Sequence, residues 1–282
     1  MNDQRVTAWR EFRSERVAEL REPFGWLCLR GFHWLPDGDA EPGGGQLDGL
    51  PGTWWTDGAE AHVRATPDAG FHIAEAAAPA VDGFAAAPLD GESTRSVGPT
   101  ERTPWIRWHS PDGVVDIELL NRGHRYAVRL RAADSPDRSA LQQVPAWDYD
   151  PDWVVEGRFT AYAPEPPDGP RVVVDTIRPD LRQSLRALGE VEFTLAGEPQ
   201  RLLVTTIKAG YGVEFFDPTN GVETEAWRQL KFDDPDPEGR VQLDFNHTLN
   251  MWFAFTRFAT CPAPVPGNRI TVPVRAGERR MS

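Results

Sequence analysis

The spacing of hydrophobic positions changes character near residue 22. Before it, Trp9, Phe12, Arg16, Val17 and Leu20 recur with a helical period and Pro23 ends the run. This predicts an N-terminal helix over residues 1–22 that packs its apolar side on the rest of the chain. Beyond it, short runs rich in β-branched and aromatic residues follow one another: "GVVDIELLNRG", "RYAVRLRA", "WVVEGRF", "RVVVDTI", "EVEFTL", "RLLVTTI", "RVQLDFN" and "ITVPVRA". Gly, Pro and Asp separate them, as expected of strands joined by turns. In "RYAVRLRA" the alternation puts Tyr126, Val128 and Leu130 on one face and Arg125, Arg129 and Arg131 mostly on the other. No run is followed by the long amphipathic helix that a βαβ unit requires. The fold class predicted is mainly β, an antiparallel β-sandwich or partly open β-barrel with an N-terminal helix. Residues 23–282 are expected to form a single β-rich domain.

Three segments read as connections. "PDGDAEPGGG" carries turn chemistry, the Ala-rich stretch 74–88 reads as a loop, and "PEPPDGP" (164–170) fits a loop between strands. "PDLRQSLRALG" is ambiguous: Leu181, Leu185 and Leu188 fit a short helix ended by Gly189, and a loop fits nearly as well.

Composition narrows the function classes. Over 282 residues, 40% are hydrophobic and 10% aromatic, with 11 Trp, which is enough for a sizeable core. The net charge of −13 argues against broad contact with nucleic acid, although a local basic patch could bind a small anion. Cys28 and Cys261 are far apart and form no metal-type cluster; Cys261 reads as a buried inert thiol. The start "MNDQRVTAWREF" has no apolar leader, and no apolar run is long enough for a membrane helix, so a cytoplasmic protein is expected. No cofactor is indicated. The six histidines lack His-x-His, His-x-x-x-His and HExxH spacing, although a cupin-like metal site assembled from distant strands stays open. "PGGGQLDG" lacks the Lys-Ser/Thr of a phosphate loop and reads as a turn.

Several motifs point to a known family. "GWLCLRGFHWLPDG", "LLNRGHRYAVRLRAADSPDR" with "YDPDWVVEGRF", "FFDPTNG", "LDFN", "TCP", and "NR" before "AGE" together span most of residues 20–280. In these the chain resembles the bacterial and archaeal domain of unknown function 1684. The resemblance implies a compact β-rich protein and no assigned activity. The chain departs from the family in two places. After "DFN" it reads "HTLNMWFAF", keeping only Asn250 of an Ala-Tyr-Asn-Pro-Pro-Cys run, and "ETEAWRQL" keeps only Arg228 of a Thr-Tyr-Gly-x-Gly-Arg pattern. Both changes add bulk and suggest a reshaped pocket.

The candidate chemistry therefore gathers between Phe215 and Arg269. In "RVQLDFNHTLN", a strand would turn Val241, Leu243 and Phe245 inward and Gln242, Asp244 and Asn246 the other way, toward solvent or a ligand. Asp244 and His247 are the candidate acid/base pair. The histidine is absent from the family pattern, and a hydrogen-bonded structural histidine is its plainer reading. Arg228 and Arg257 suit an anionic group, against ordinary surface pairing as the alternative. Asn246 and Asn250 would fix a polar ligand, and Trp227 and Trp252 would wall the pocket. Asp217 reads as a turn-former. The expectation is a metal-independent, non-redox enzyme of lyase, cyclase or hydrolase type acting on a small organic molecule in a β-lined aromatic pocket. The rivals are a non-catalytic small-molecule-binding protein and a metalloenzyme. Neither nucleic acid nor membrane is an expected partner, and oligomeric state is left open.

Overall fold

The helical spacing at the N-terminus produces α1 (Asn2–Leu20) in the computed structural model, which describes residues 2–38, 44–74, 87–163, 169–206 and 210–281. The expected loops at 36–45, 74–88 and 164–170 fall largely outside the described residues. Arg16 and Leu20 are buried, and Trp9, Phe12, Arg13 and Val17 are half-buried on the same side of the helix. No helix among the described residues is long and apolar enough to cross a membrane.

Contacts divide the chain into two compact units, one of residues 19–141 and one of residues 1–18 with 142–282. The first contains β1 (Leu29–Trp34), β2 (Thr53–Thr56), β3 (Ala61–Ala65), β4 (Phe71–Ile73), β5 (Gly91–Arg95), β6 (Arg102–Ser110), β7 (Gly113–Arg122) and β8 (Arg125–Ala132). They form a five-stranded sheet, β1-β8-β7-β6-β4, and a three-stranded sheet, β2-β3-β5, all antiparallel. The alternation read in β8 holds: Tyr126, Val128 and Leu130 enter a core with Ile117, Leu119 and Val128's neighbours on β7. At its centre Trp54 meets Phe71 and Trp105 edge-on at 5.7 and 5.6 Å, a favoured aromatic geometry.

The second unit contains β9 (Val154–Ala161), β10 (Arg171–Asp175), β11 (Arg182–Leu195), β12 (Glu198–Thr206), β13 (Tyr211–Phe215), β14 (Arg228–Phe232), β15 (Arg240–Asp244) and β16 (Leu249–Asn250). Their order is β15-β9-β11-β12-β13-β14-β16, with β10 paired to β11. β14 also lies against β15 although the two share no ladder, so the antiparallel sheet curls into a partly open barrel. Its interior is filled by apolar side chains, among them Phe193, Phe215, Leu230, Val241, Leu243 and Phe245. The mainly β, antiparallel fold with an N-terminal helix is therefore the fold of this chain.

Two local expectations need correction. "PDLRQSLRALG" is neither helix nor loop: it runs into β11, whose residues 182–186 pair with β10 and whose continuation pairs with β9 and β12. Pairing on both sides outweighs the leucine spacing. At Gly189 the β11–β12 register shifts, and a Cβ there would lie 2.2 Å from the Thr160 carbonyl oxygen, so only glycine fits. "ITVPVRA" is not a strand. After Ile270, whose N–H goes to the Phe216 carbonyl, side chains take several of its backbone groups: Asp217 accepts from the Val274 N–H at 3.2 Å, and Arg228 donates to the carbonyls of Val274 and Ala276 at 2.8 and 2.7 Å.

Candidate functional site

β15 ends at Asp244 because its side chain caps the short 3-10 turn Phe245–His247 that follows. One carboxylate oxygen, Oδ1, accepts from the Asn246 backbone N–H at 3.0 Å and from Asn246 Nδ2 at 2.8 Å. The other, Oδ2, lies 3.0 Å from His247 Nδ1. Burial pushes the Asp244 carboxyl up, but the hydrogen bonds from His247 and Asn246 outweigh it and hold the carboxyl below the usual aspartate range. A carboxylate facing Nδ1 fixes the neutral ring as the Nδ1–H tautomer and leaves Nε2 as a lone-pair acceptor. No protein group among the described residues bonds Nε2, and the His247 side chain is 32% exposed. Phe12 of α1 meets the ring edge-on at 4.5 Å, which restricts its tilt. The two residues expected to pair are thus brought together.

The same turn is tied to α1 and to the chain before β9. Asn246 is buried; its side chain accepts from the Asp150 N–H at 3.0 Å and donates to the Asp150 carbonyl at 2.9 Å. Its own carbonyl accepts from Trp9 Nε1 at 3.2 Å. All the side-chain atoms through which Asn246 was expected to hold a ligand are engaged in this stitch. Tyr149, 6.4 Å from Trp9, has its phenol raised by burial and then by the Asp244 charge, so it stays protonated.

Arg228 and Asn250 face each other across the β14–β16 ladder. Arg228 is 0% exposed, and its Nη atoms donate to the carbonyls of Val274, Ala276 and Glu278 and to Asp217 Oδ2 at 3.1 Å. Asp217 forms the expected turn as well, accepting from the Thr219 N–H and hydroxyl at 2.8 and 2.6 Å. Asn250 donates its side-chain amide to the Arg279 carbonyl at 2.8 Å, and its backbone N–H goes to Glu278 Oε2 at 2.7 Å. Glu278, fully buried, also receives Arg13 at 3.0 Å and Arg16 at 3.4 Å from α1. Arg228 and Asn250 therefore spend most of their hydrogen-bonding capacity inside the scaffold; only Arg228 Nε and Asn250 Oδ1 are buried without a partner.

The remaining predicted residues are spread more widely. Trp227 is buried against Phe253, with ring centroids 4.4 Å apart, and its Nε1 has no partner. Trp252 is half-buried beneath the Arg16 guanidinium at 4.6 Å. Arg257 is exposed and lies over Phe258 at 4.9 Å. Cys261 is a buried free thiol. Beside α1 runs an open groove of about 720 Å³ lined by Trp9, Arg10, Arg13 and Ser14 and by residues 142–146. Among the described residues, no three His, Cys, Asp or Glu side chains are grouped to hold a metal ion.

Sequence reasoning missed Glu278, Arg16, Phe12 and Trp9 as parts of this region. Glu278 closes the "AGE" motif, and its Gly277 has φ of +74° with the Thr248 carbonyl 2.4 Å from where a Cβ would stand. Asn268 of the "NR" motif is a further stitch, bonding both backbone groups of Leu203 at 2.8 Å. The motif residues Asp217, Asn246, Asn268 and Glu278 are thus connectors of backbone segments, and their family is decided by sequence. The family described as Protein of unknown function (DUF1684) matches residues 139–279. The chain belongs to this family. The DUF1684 match covers nearly all of the second unit after α1, while "GWLCLRGFHWLPDG" lies outside it. No curated protein matches the chain. Among solved structures, the solution NMR structure of an uncharacterized protein from Haloarcula marismortui is 25% identical. That match covers 50% of this chain and 78% of that one, with a TM-score of 0.41. Within the DUF1684 region, Asp244 and His247 form a carboxylate–imidazole pair at 3.0 Å.

Proposed function

We propose that the chain is a non-redox acid–base enzyme of lyase, cyclase or hydrolase type acting on a small organic molecule. His247 Nε2 is the proton acceptor, and Asp244 is the positioning group that sets the tautomer and balances the imidazolium once the proton is taken. The observation that carries this reading is the 3.0 Å contact of Nδ1 with a carboxylate whose other oxygen is fixed by Asn246. A base held in this way loses little orientation on proton transfer, and general base catalysis of this kind contributes about 10²- to 10⁴-fold. Phe12 supplies an apolar contact on the ring. Arg228, Asn246 and Asn250 act by holding the frame in place.

The test is a turnover screen of esters, lactones and β-hydroxy acids at pH 5–9 with wild type, His247→Asn and Asp244→Asn. For a substrate found in this screen, His247→Asn is expected to lower kcat about 10²-fold or more. Asp244→Asn keeps an oxygen for the turn cap and is expected to lower kcat about 10- to 100-fold with KM unchanged. Turnover unaffected by His247→Asn overturns the assignment. Ligand binding without turnover across the whole panel supports instead a non-catalytic binding protein.

A further inference from the structure

The outer face of the five-stranded sheet carries charge where its inner face carries the core. Glu118 on β7 and Arg129 on β8 are direct cross-strand partners, and Arg131 lies two residues along on the same face. Arg102 of β6 donates to Glu118 Oε1 at 2.7 Å, and Arg131 donates to Oε2 at 3.3 Å. Arg131 also donates to the carbonyls of Phe24 and Gly25 at 2.9 and 2.7 Å, which pins the turn that brings Trp26 over the cluster. The Trp26 ring centre lies 5.1 Å from Arg129 Cζ and 5.5 Å from Arg131 Cζ.

Arg129 is the anomaly. It is 1% exposed, yet none of its three nitrogens has a hydrogen-bond partner, and its nearest carboxylate oxygen, on Glu118, is 3.8 Å away. Glu118 is already bonded by two other arginines, and Arg122 adds to the positive field. A π-face attracts the cation but accepts no N–H in the guanidinium plane. Buried ions are normally both paired and hydrogen-bonded; this guanidinium, with one carboxylate oxygen at 3.8 Å and three other arginines in its field, has no hydrogen bond. Burial first, then the like charges of Arg131, Arg122 and Arg102, outweigh Glu118 and take the Arg129 guanidinium down to about 9.

We propose that Arg129, with Arg131, Arg102 and Trp26, binds a small oxyanion, either a free or ester phosphate or the carboxylate of a small metabolite. The planar fork of Arg129 would take two oxygens side by side. Glu118 spaces the arginines and keeps their fields from expelling one another. Arg102, whose side chain is 40% exposed, marks the solvent edge of the cluster. On a chain of net charge −13 such a cluster selects anions by local geometry, since the overall field repels them. Among the described residues this site shares no side chain with the acid–base pair.

The test uses the full chain in a buffer whose counter-anion is a bulky sulfonate. Thermal unfolding and titration calorimetry are run with inorganic phosphate and, separately, with acetate, on wild type, Arg129→Leu, Arg129→Lys and Glu118→Gln. The expected result is a phosphate- or acetate-dependent rise in the unfolding midpoint of wild type and a roughly 10-fold weaker response in Arg129→Lys. Arg129→Leu is expected to fold and show no response, and Glu118→Gln to bind several-fold more tightly. Preference for phosphate points to a phosphoryl ligand, and preference for acetate to a carboxylate. Equal responses in wild type and Arg129→Leu, or none in wild type to either anion, would overturn the proposal. Failure of Arg129→Leu to fold would do the same, because an apolar side chain should be tolerated where no structural bond is lost.

Discussion

Arg228 and Arg129 are both buried arginines on antiparallel strands, one in each unit, and they have opposite surroundings. Arg228 makes four hydrogen bonds through its Nη atoms, three to carbonyls of an irregular segment and one to Asp217. Arg129 makes none. The contrast separates two reasons for burying a cation. Where the guanidinium closes backbone acceptors that no ladder reaches, it is part of the fold, and its removal strands both the carbonyls and a carboxylate. Where the cation has around it charges of its own sign, one shared carboxylate and an indole face, none of which takes its N–H groups, it contributes little to folding, and its use lies in what it can bind.

The comparison can be broken most directly at Arg228. Arg228→Leu is expected to cost about 3–5 kcal/mol in urea unfolding, because Asp217 then stays buried and uncompensated; a loss under about 1 kcal/mol would show that the segment 270–278 holds itself. Next is Asn246→Ala, which removes the stitch to Asp150 and is expected to cost about 1–3 kcal/mol. Measured by the same unfolding curves, a neutral result would detach the turn from the scaffold.

Glu214 sharpens the contrast through pH. It is buried in β13; burial raises its carboxyl above the usual range, and the bonds from Gln229 at 2.6 Å and Thr205 at 3.3 Å only partly oppose this. A carboxyl raised in the folded state binds its proton more tightly there than in the unfolded chain. Its contribution is thus fully present below the ordinary glutamate pKa and is lost as pH rises through the folded value. Glu214→Gln should therefore gain stability relative to wild type as pH increases from 4 upward. Parallel stability–pH curves for the two proteins would contradict this. The smallest effect is expected at Arg129: Arg129→Leu, measured without added oxyanion, should lie between no change and a gain of about 1 kcal/mol.

Much of the fold was legible in the sequence because its signals are local. The β8 alternation and the buried Val241, Leu243 and Phe245 follow from a period of two, and α1 from a period near four. The first part of β11, residues 182–189, and the irregular run at 270–276 were not legible, since partners far away in sequence decide them, whereas 190–195 read as a strand. At the site, Asp244 and His247 lie three residues apart and could be paired from sequence. The engagement of Asn246 by Asp150, and of Asn250 by Glu278 and Arg279, depends on segments 28 to 96 residues distant. The outward arginines of β8 were visible as a face; that Arg129 would be buried there with no hydrogen bond was not.

The contrast between the two arginines is tested most directly by crystals grown with selenate, located by its anomalous scattering. The account predicts a selenium peak with oxygens within hydrogen-bonding distance of the Arg129 guanidinium and none at Arg228. An Arg129 fork closed by protein or water, with selenate scattered over exposed arginines alone, would contradict it.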